Sequence, residues 1–174
     1  MGESDIRNER LKKLEKLKSA GMASYPAAST RTAVIAAFLK DFDESVKSSE
    51  TAVLAGRVMS LRGQGGIIFA DIFDGSASLT TGGGRAQMVL QKADMDAESF
   101  ELFVETADAG DFVECTGVAF RTKRGEKSLK VSSWRMLSKS LLPIPAEWYG
   151  VRRRIAIASA LLGHSPQSRY ARHV

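Results

Sequence analysis

The stretch Val53–Asp74, VLAGRVMSLRGQGGIIFADIFD, decides how the rest of the chain is read. Its pattern predicts two strands joined by a glycine turn. In the second strand, Ala70 and Ile72 fall on one side and Phe69, Asp71 and Phe73 on the other, because side chains alternate faces along a strand. If the aliphatic side faces a core, both phenylalanines face out. An outward ring with Arg57 and Arg62 on the neighbouring strand offers a π-face to a base and cations to phosphates. Taken alone, the strand also admits the simpler alternative that both phenylalanines are core, so the remaining sequence has to separate the two.

Length and composition set the frame. With 174 residues, 44% of them hydrophobic and 26% charged, the chain can bury one proper core, which predicts one domain with appendages. The single cysteine, Cys115, excludes an intrachain disulfide and fits a reducing compartment, and its apolar neighbours Phe112 and Val113 suggest a buried thiol without a nucleophilic role. The N-terminus lacks the pattern of a secretory signal, and the longest apolar stretch, Ile155 to Leu162, is too short to span a bilayer. A cytoplasmic protein without a membrane partner is expected.

The formal charge of +5 has one source. Residues 151–174 carry Arg152, Arg153, Arg154, Arg169 and Arg172 and no acid, which leaves 20 bases against 20 acids in residues 1–150. A neutral body argues against a non-specific polyanion binder, whose affinity comes from counterion release by a massed basic surface. It allows a module that reads a few bases by stacking and hydrogen bonding.

From Ser4 to Ala20 the chain predicts an amphipathic helix, with Leu11, Leu14 and Leu17 on one stripe, acids early, lysines late and Gly21 beyond its end. Such a helix either flanks a nucleic acid or docks on its own domain or a partner subunit. GMASYPAAST then reads as an extended connection, Thr30 or Thr32 as the cap of a second helix running to about Lys40, and DESVKSSE as a polar spacer.

Beyond the spacer the pattern alternates. Strand candidates are Thr51–Arg62, Ile67–Asp74, Arg85–Gln91, Phe112–Arg121 and Lys127–Leu137, with a helix Asp96–Ala107 between the third and fourth. Three strands, a helix and two strands is the order of the OB-fold, a five-stranded Greek-key barrel whose strands and loops bind oligonucleotides. The fold class expected is therefore mainly β (α+β), with helices preceding the barrel. Gly56 and Gly117 fit the tight bends of a small barrel, and Arg121–Glu126 makes a basic last hairpin. The expected divisions are a helical extension 1–50, the barrel 51–140, a linker 141–151 and a basic tail 152–174. In the third strand Gln87 shares the face of Phe69. Its amide both donates and accepts and so matches a base edge, and Glu126 in the hairpin can accept from a base amino or imino group.

Four segments carry a resemblance: RNERLKKLEKLKSAGMASYP, VLAGRVMSLRGQGGIIFADIFD, DAGDFVECTGVAFRTKRGEKSL and LSKSLLPIPAEWYGV. Through them, residues 7–151 resemble the N-terminal anticodon-binding domain of class II lysyl-tRNA synthetases. The first-hairpin pattern is also similar to the aspartyl and asparaginyl enzymes, whereas FRTKRGE and LSKSLLPIP look specifically lysyl. The resemblance implies that the domain grips the uracil-rich anticodon loop of lysine tRNA. Phe69 would stack on the central anticodon base, Gln87 and Arg62 would contact anticodon bases, and Glu126 would meet a base from the last hairpin. Arg57 also matches a family position, its side of the strand left open by the bulges of small barrels. ATP and magnesium are implied only for the full-length family, and no cofactor, metal or catalytic residue is expected here. A homodimer is a further expected partner.

The chain departs from the family in three places. Gly66 stands where a lysine is usual before the second strand, and GSASLTTGGGRA is longer and richer in glycine than the usual turn ahead of Gln87. After Trp148-Tyr149-Gly150, VRRRIAIASALLGHSPQSRYARHV does not align and reads as out of frame or as a replacement of the catalytic domain. Its His164 and His173 lack the neighbours a metal site needs. Alternatives to tRNA recognition are a generic single-strand-binding OB module, a dimerisation or docking domain without an RNA role, and one portion of a complete ligase.

Overall fold

The computed structural model describes residues 2–75 and 84–143. Most of the glycine-rich stretch after β2, Trp148, and the tail with His164 and His173 lie outside the described residues. The elements run α1 (Glu3–Ser19), α2 (Ile35–Lys40), α3 (Phe42–Ser48), β1 (Thr51–Gln64), β2 (Ile67–Phe73), β3 (Arg85–Gln91), α4 (Ala97–Thr106), β4 (Phe112–Arg121) and β5 (Lys127–Ser138). The strands close into a barrel in the order β1-β2-β3-β5-β4. β3 pairs with β5 in parallel, and the other four pairs are antiparallel. This is the five-stranded OB-fold with its helix between the third and fourth strands.

Alternation along each strand fills the interior. Leu54 and Val58, Ala70 and Ile72, Met88 and Leu90, Val113 and Cys115, and Leu129 and Val131 all join one buried cluster. Helix α4 adds Phe100 and Phe103 to it, with the Phe103 ring edge-on to Trp134 at 4.9 Å. The Trp134 indole N–H donates to the Ser99 carbonyl at 3.0 Å, so the polar end of a large buried ring is satisfied. Leu17, Ile35, Phe38 and Phe42 from α1–α3 belong to the same cluster. The N-terminal helices and the barrel therefore share one core.

A barrel this small brings backbones too close for side chains at two glycines. A Cβ on Gly117 would lie 2.0 Å from the Lys130 carbonyl oxygen, and one on Gly56 2.9 Å from that of Phe73. Gly117 sits at a register shift in the β4–β5 pairing, where a bulge bends the strand.

The N-terminal region differs from its sequence reading in two respects. Thr30 and Thr32 do not cap α2. Thr32 instead zips onto β1, its N–H donating to Val53 O at 3.0 Å while Val53 N–H donates to Thr32 Oγ1 at 2.9 Å. The helix starts at Ile35, whose N–H donates at 2.9 Å to Asp74 Oδ2 just past β2, a cap borrowed from distant sequence. The presumed polar spacer forms α3, anchored by the wholly buried Phe42. Phe42, helped by the partly buried Val46, holds a short helix whose other residues are mostly solvated.

Helix α1 docks on its own domain, packing against α4. Its buried stripe is Arg10, Leu14 and Leu17, with Leu11 only half-buried. Arg10 is buried because its guanidinium donates to the carbonyls of Ser140, Leu142 and Ala109. No helix among the described residues is long and apolar enough to cross a membrane.

Candidate nucleic-acid interface

The outer face of β1–β2–β3 is set by register. Across the three strands the pairing makes successive rows: Arg62, Phe69 and Val89; then Ser60, Asp71 and Gln87; then Arg57, Phe73 and Arg85. Directly opposed residues share a face, so Phe69, Asp71, Phe73 and Gln87 stand together. Arg57 and Arg62 are five residues apart and would lie on opposite faces of a regular strand. A shift between Val58 and Ser60 leaves Met59 as an extra residue, and that bulge returns both arginines to the outer face.

Phe69 is half-buried there. Its register partner Val89 is only 2% exposed yet stands apart from the interior cluster, an apolar floor on the outer side. Phe69 is one row from Gln87, a diagonal separation of about 7 Å.

Three of the anticipated residues line one open groove of about 740 Å³: Arg62 from β1, Gln87 from β3 and Glu126 from the β4–β5 hairpin. Phe69 and Arg57 do not line it. Arg57 lies midway along β1, at the far end of its pairing with β2, its guanidinium 4.6 Å over the Phe112 ring.

The groove's charge differs from that of the body. Arg62, Arg85, Arg121, Arg124 and Lys127 face Asp71 and Glu126, five cations against two carboxylates, which suits a polyanion. Arg62 is 64% exposed at its side chain and only loosely paired, 3.7 Å from Asp71 Oδ2, and such a surface pair is worth little. Asp71 is held more firmly by Ser60, whose hydroxyl donates to the same oxygen at 2.6 Å. α2 and α3 brace the hairpin cations. Arg121 pairs with Asp43 at 2.6 Å, and Lys127 Nζ donates to the Leu39 carbonyl at 3.0 Å. The hairpin turns at Gly125, φ +85°, and the Glu126 side chain remains exposed.

Gln87 is oriented by a buried neighbour. Ser128 Oγ donates to Gln87 Oε1 at 3.0 Å, which occupies the acceptor end and leaves the NH₂ end without a partner among the described residues. The site thus presents a donor pair at Gln87, an acceptor pair at Glu126 and a cation at Arg62 beside an apolar ring.

Sequence reasoning missed Arg85 and Ser128. Arg85 was legible, since it lies two residues before Gln87 on the same face. Ser128 was not, because only the parallel β3–β5 pairing brings it opposite Gln87. No group of three or more metal-ligating side chains occurs among the described residues. Cys115 is fully buried, and that burial, reinforced by the neighbouring Glu114 charge, pushes its thiol up to about 12.

Residues 52–137 match the tRNA anti-codon family, described as an OB-fold nucleic acid binding domain. The lysine–tRNA ligase of Roseiflexus sp. strain RS-1 is 38% identical over 149 residues, 85% of this chain and 29% of that protein. A lysine–tRNA ligase of Dehalococcoides mccartyi is 38% identical over 156 residues, 87% of this chain and 30% of the relative. Lysine–tRNA ligase 2 of Methanosarcina mazei is 34% identical over 152 residues, 87% and 28%. The chain therefore spans under a third of the length of these relatives. The match covers all five strands and the helix between them, and the barrel belongs to the tRNA anti-codon family of OB-fold nucleic acid binding domains, homologous to part of the lysine–tRNA ligases.

Proposed function

We propose that the barrel recognises the anticodon loop of a lysine tRNA, stacking one base on Phe69 and reading base edges with Gln87, Arg62 and Glu126. One observation carries this reading: donors at Gln87 and Arg62 and a carboxylate at Glu126 converge on one groove beside the outer face of β2. Uracil offers two carbonyl acceptors and one N–H donor on its pairing edge, which matches two donor groups and one carboxylate. Cytosine replaces a carbonyl with an amino donor and the N–H with an acceptor, and so meets the wrong partners. The groove's surplus of cations takes the phosphates, and Arg57, on the same face further along β1, is assigned to the backbone rather than to a base.

The relatives are named as ligases, and this chain spans under a third of each. We assign the ligation itself, with its ATP and magnesium, to the portion of such proteins outside this span, and to this chain the choice of tRNA. Anisotropy titration of a uracil-rich anticodon stem-loop tests the reading. Phe69→Ala should cost about 1–3 kcal/mol, roughly 5- to 150-fold in Kd. Equal affinity for any unstructured single strand would overturn it.

A further inference from the structure

Phe73, in the row at the far end of the outer face, has no part in the anticodon reading. Phe73 is 38% exposed and, among the described residues, is the one large apolar side chain of a barrel strand that is exposed. Its register partners are both arginines, Arg57 on β1 and Arg85 on β3, so the ring's row carries a cationic residue on each neighbouring strand. Arg57 continues the row by lying 4.6 Å over the Phe112 ring of β4. The backbone beneath is tightly held, since Gly56 brings β1 to within 2.9 Å of the Phe73 carbonyl oxygen, measured from the position a Cβ would take. Gly75, φ +68°, lies beside the ring edge, and a Cβ there would come to 3.9 Å of Cε1.

From this arrangement we infer a second base-stacking position at Phe73, which takes another base of the same single-stranded RNA. The inference rests on the anticodon reading of the Phe69 face and extends it. Phe73 is four residues along β2 from Phe69, about 13 Å at the rise of a strand, which leaves room for an intervening nucleotide between two stacked bases. The positions are continuous, because Arg85, the partner of Phe73, also lines the groove with Arg62 and Gln87. Charge complementarity selects the occupant. An exposed aromatic in one row with two arginines suits a base with its phosphates, since stacking is indifferent to base identity and the cations follow the backbone. Phe73 thus extends the length of strand held without adding sequence preference.

The test compares two oligouridylates, one of about three and one of about seven nucleotides, within the range a single OB fold accommodates. Titrations use the wild-type chain, Phe73→Ala, Phe73→Leu and Phe69→Ala. Phe73→Ala should weaken the longer strand about tenfold and leave the shorter, seated at Phe69, within about twofold. Phe73→Leu keeps apolar bulk but has no π-face. It should lose the same affinity with an unchanged unfolding midpoint, which separates stacking from packing. If neither Phe73 variant weakens the longer strand while Phe69→Ala weakens both, the second position is wrong and the anticodon reading stands. Equal losses at both lengths would also overturn it, because Phe73 would then only be shaping the first position. Phe69→Ala without effect on either strand overturns the anticodon reading itself, and the two-position arrangement with it.

Discussion

Replacing Glu114 by glutamine should remove about 3 kcal/mol of stability at neutral pH. Glu114 is buried on β4 and receives four hydrogen bonds. Ser29 Oγ and the Thr30 N–H donate to Oε2, and Thr30 Oγ1 and Arg135 Nε donate to Oε1. It thereby straps the connection between α1 and α2 onto the barrel. Burial alone would raise its pKa, but the bonds from Arg135, Ser29 and Thr30 outweigh it and hold the carboxyl at about 2, against an ordinary value of 4.5. That difference corresponds to about 3 kcal/mol. Because the folded pKa is the lower one, the stabilisation is complete above about pH 4.5 and is lost as the pH falls toward 2. At pH 3 about 1.4 kcal/mol should remain. Glutamine keeps the shape but loses the charge and half the acceptors. Urea denaturation of both proteins at pH 7 should show the full gap, and a series down to pH 3 should show it closing to less than half. A gap under about 1 kcal/mol at pH 7, or one of constant size across the series, would refute the reasoning.

Lys139→Met should cost about 3–5 kcal/mol in the same assay, since the buried ammonium donates to Asp111 and Thr106 and pairs with Asp108, and burial already pushes the Asp111 carboxyl upward. Gly117→Ala should destabilise by about 3 kcal/mol or more, because the added carbon meets the Lys130 carbonyl oxygen at 2.0 Å. Gly66→Ala, whose nearest neighbour lies at 3.7 Å, should be close to neutral, and equal unfolding midpoints for the two variants would contradict this account. Cys115 should not react with a thiol reagent at pH 8 in the folded chain and should react at once in denaturant. Rapid native labelling would show that its burial and its pKa near 12 are wrong.

The barrel was legible because each of its strands alternates. Leu54, Ala70, Ile72, Met88 and Leu129 mark an interior face that local sequence alone reveals. The shared face of Phe69 and Gln87 followed from the same period. The side of Arg57 did not, since one inserted residue at Met59 reverses a parity count and nothing in MSLR announces it. α3 stayed hidden because its core contacts, Phe42 and the partly buried Val46, sit in an otherwise polar run. The start of α2 was misplaced because its cap is Asp74, almost forty residues away, a partner only the folded chain supplies. Likewise Arg10 reads as one more charge on a solvated helix until the carbonyls of Ser140 and Leu142 are brought to it.

The central claim is that donors at Gln87 and Arg62 and the carboxylate of Glu126 select a uracil beside Phe69. Its most direct measurement is the Kd ratio between a uracil-rich anticodon stem-loop and the same loop with cytosine at its central base, for the wild-type chain and for Gln87→Leu. The account predicts a preference of about tenfold or more for uracil in the wild type, falling toward unity in the variant as the amide donors are lost. A wild-type ratio near one, or a preference untouched by the loss of Gln87, would contradict it.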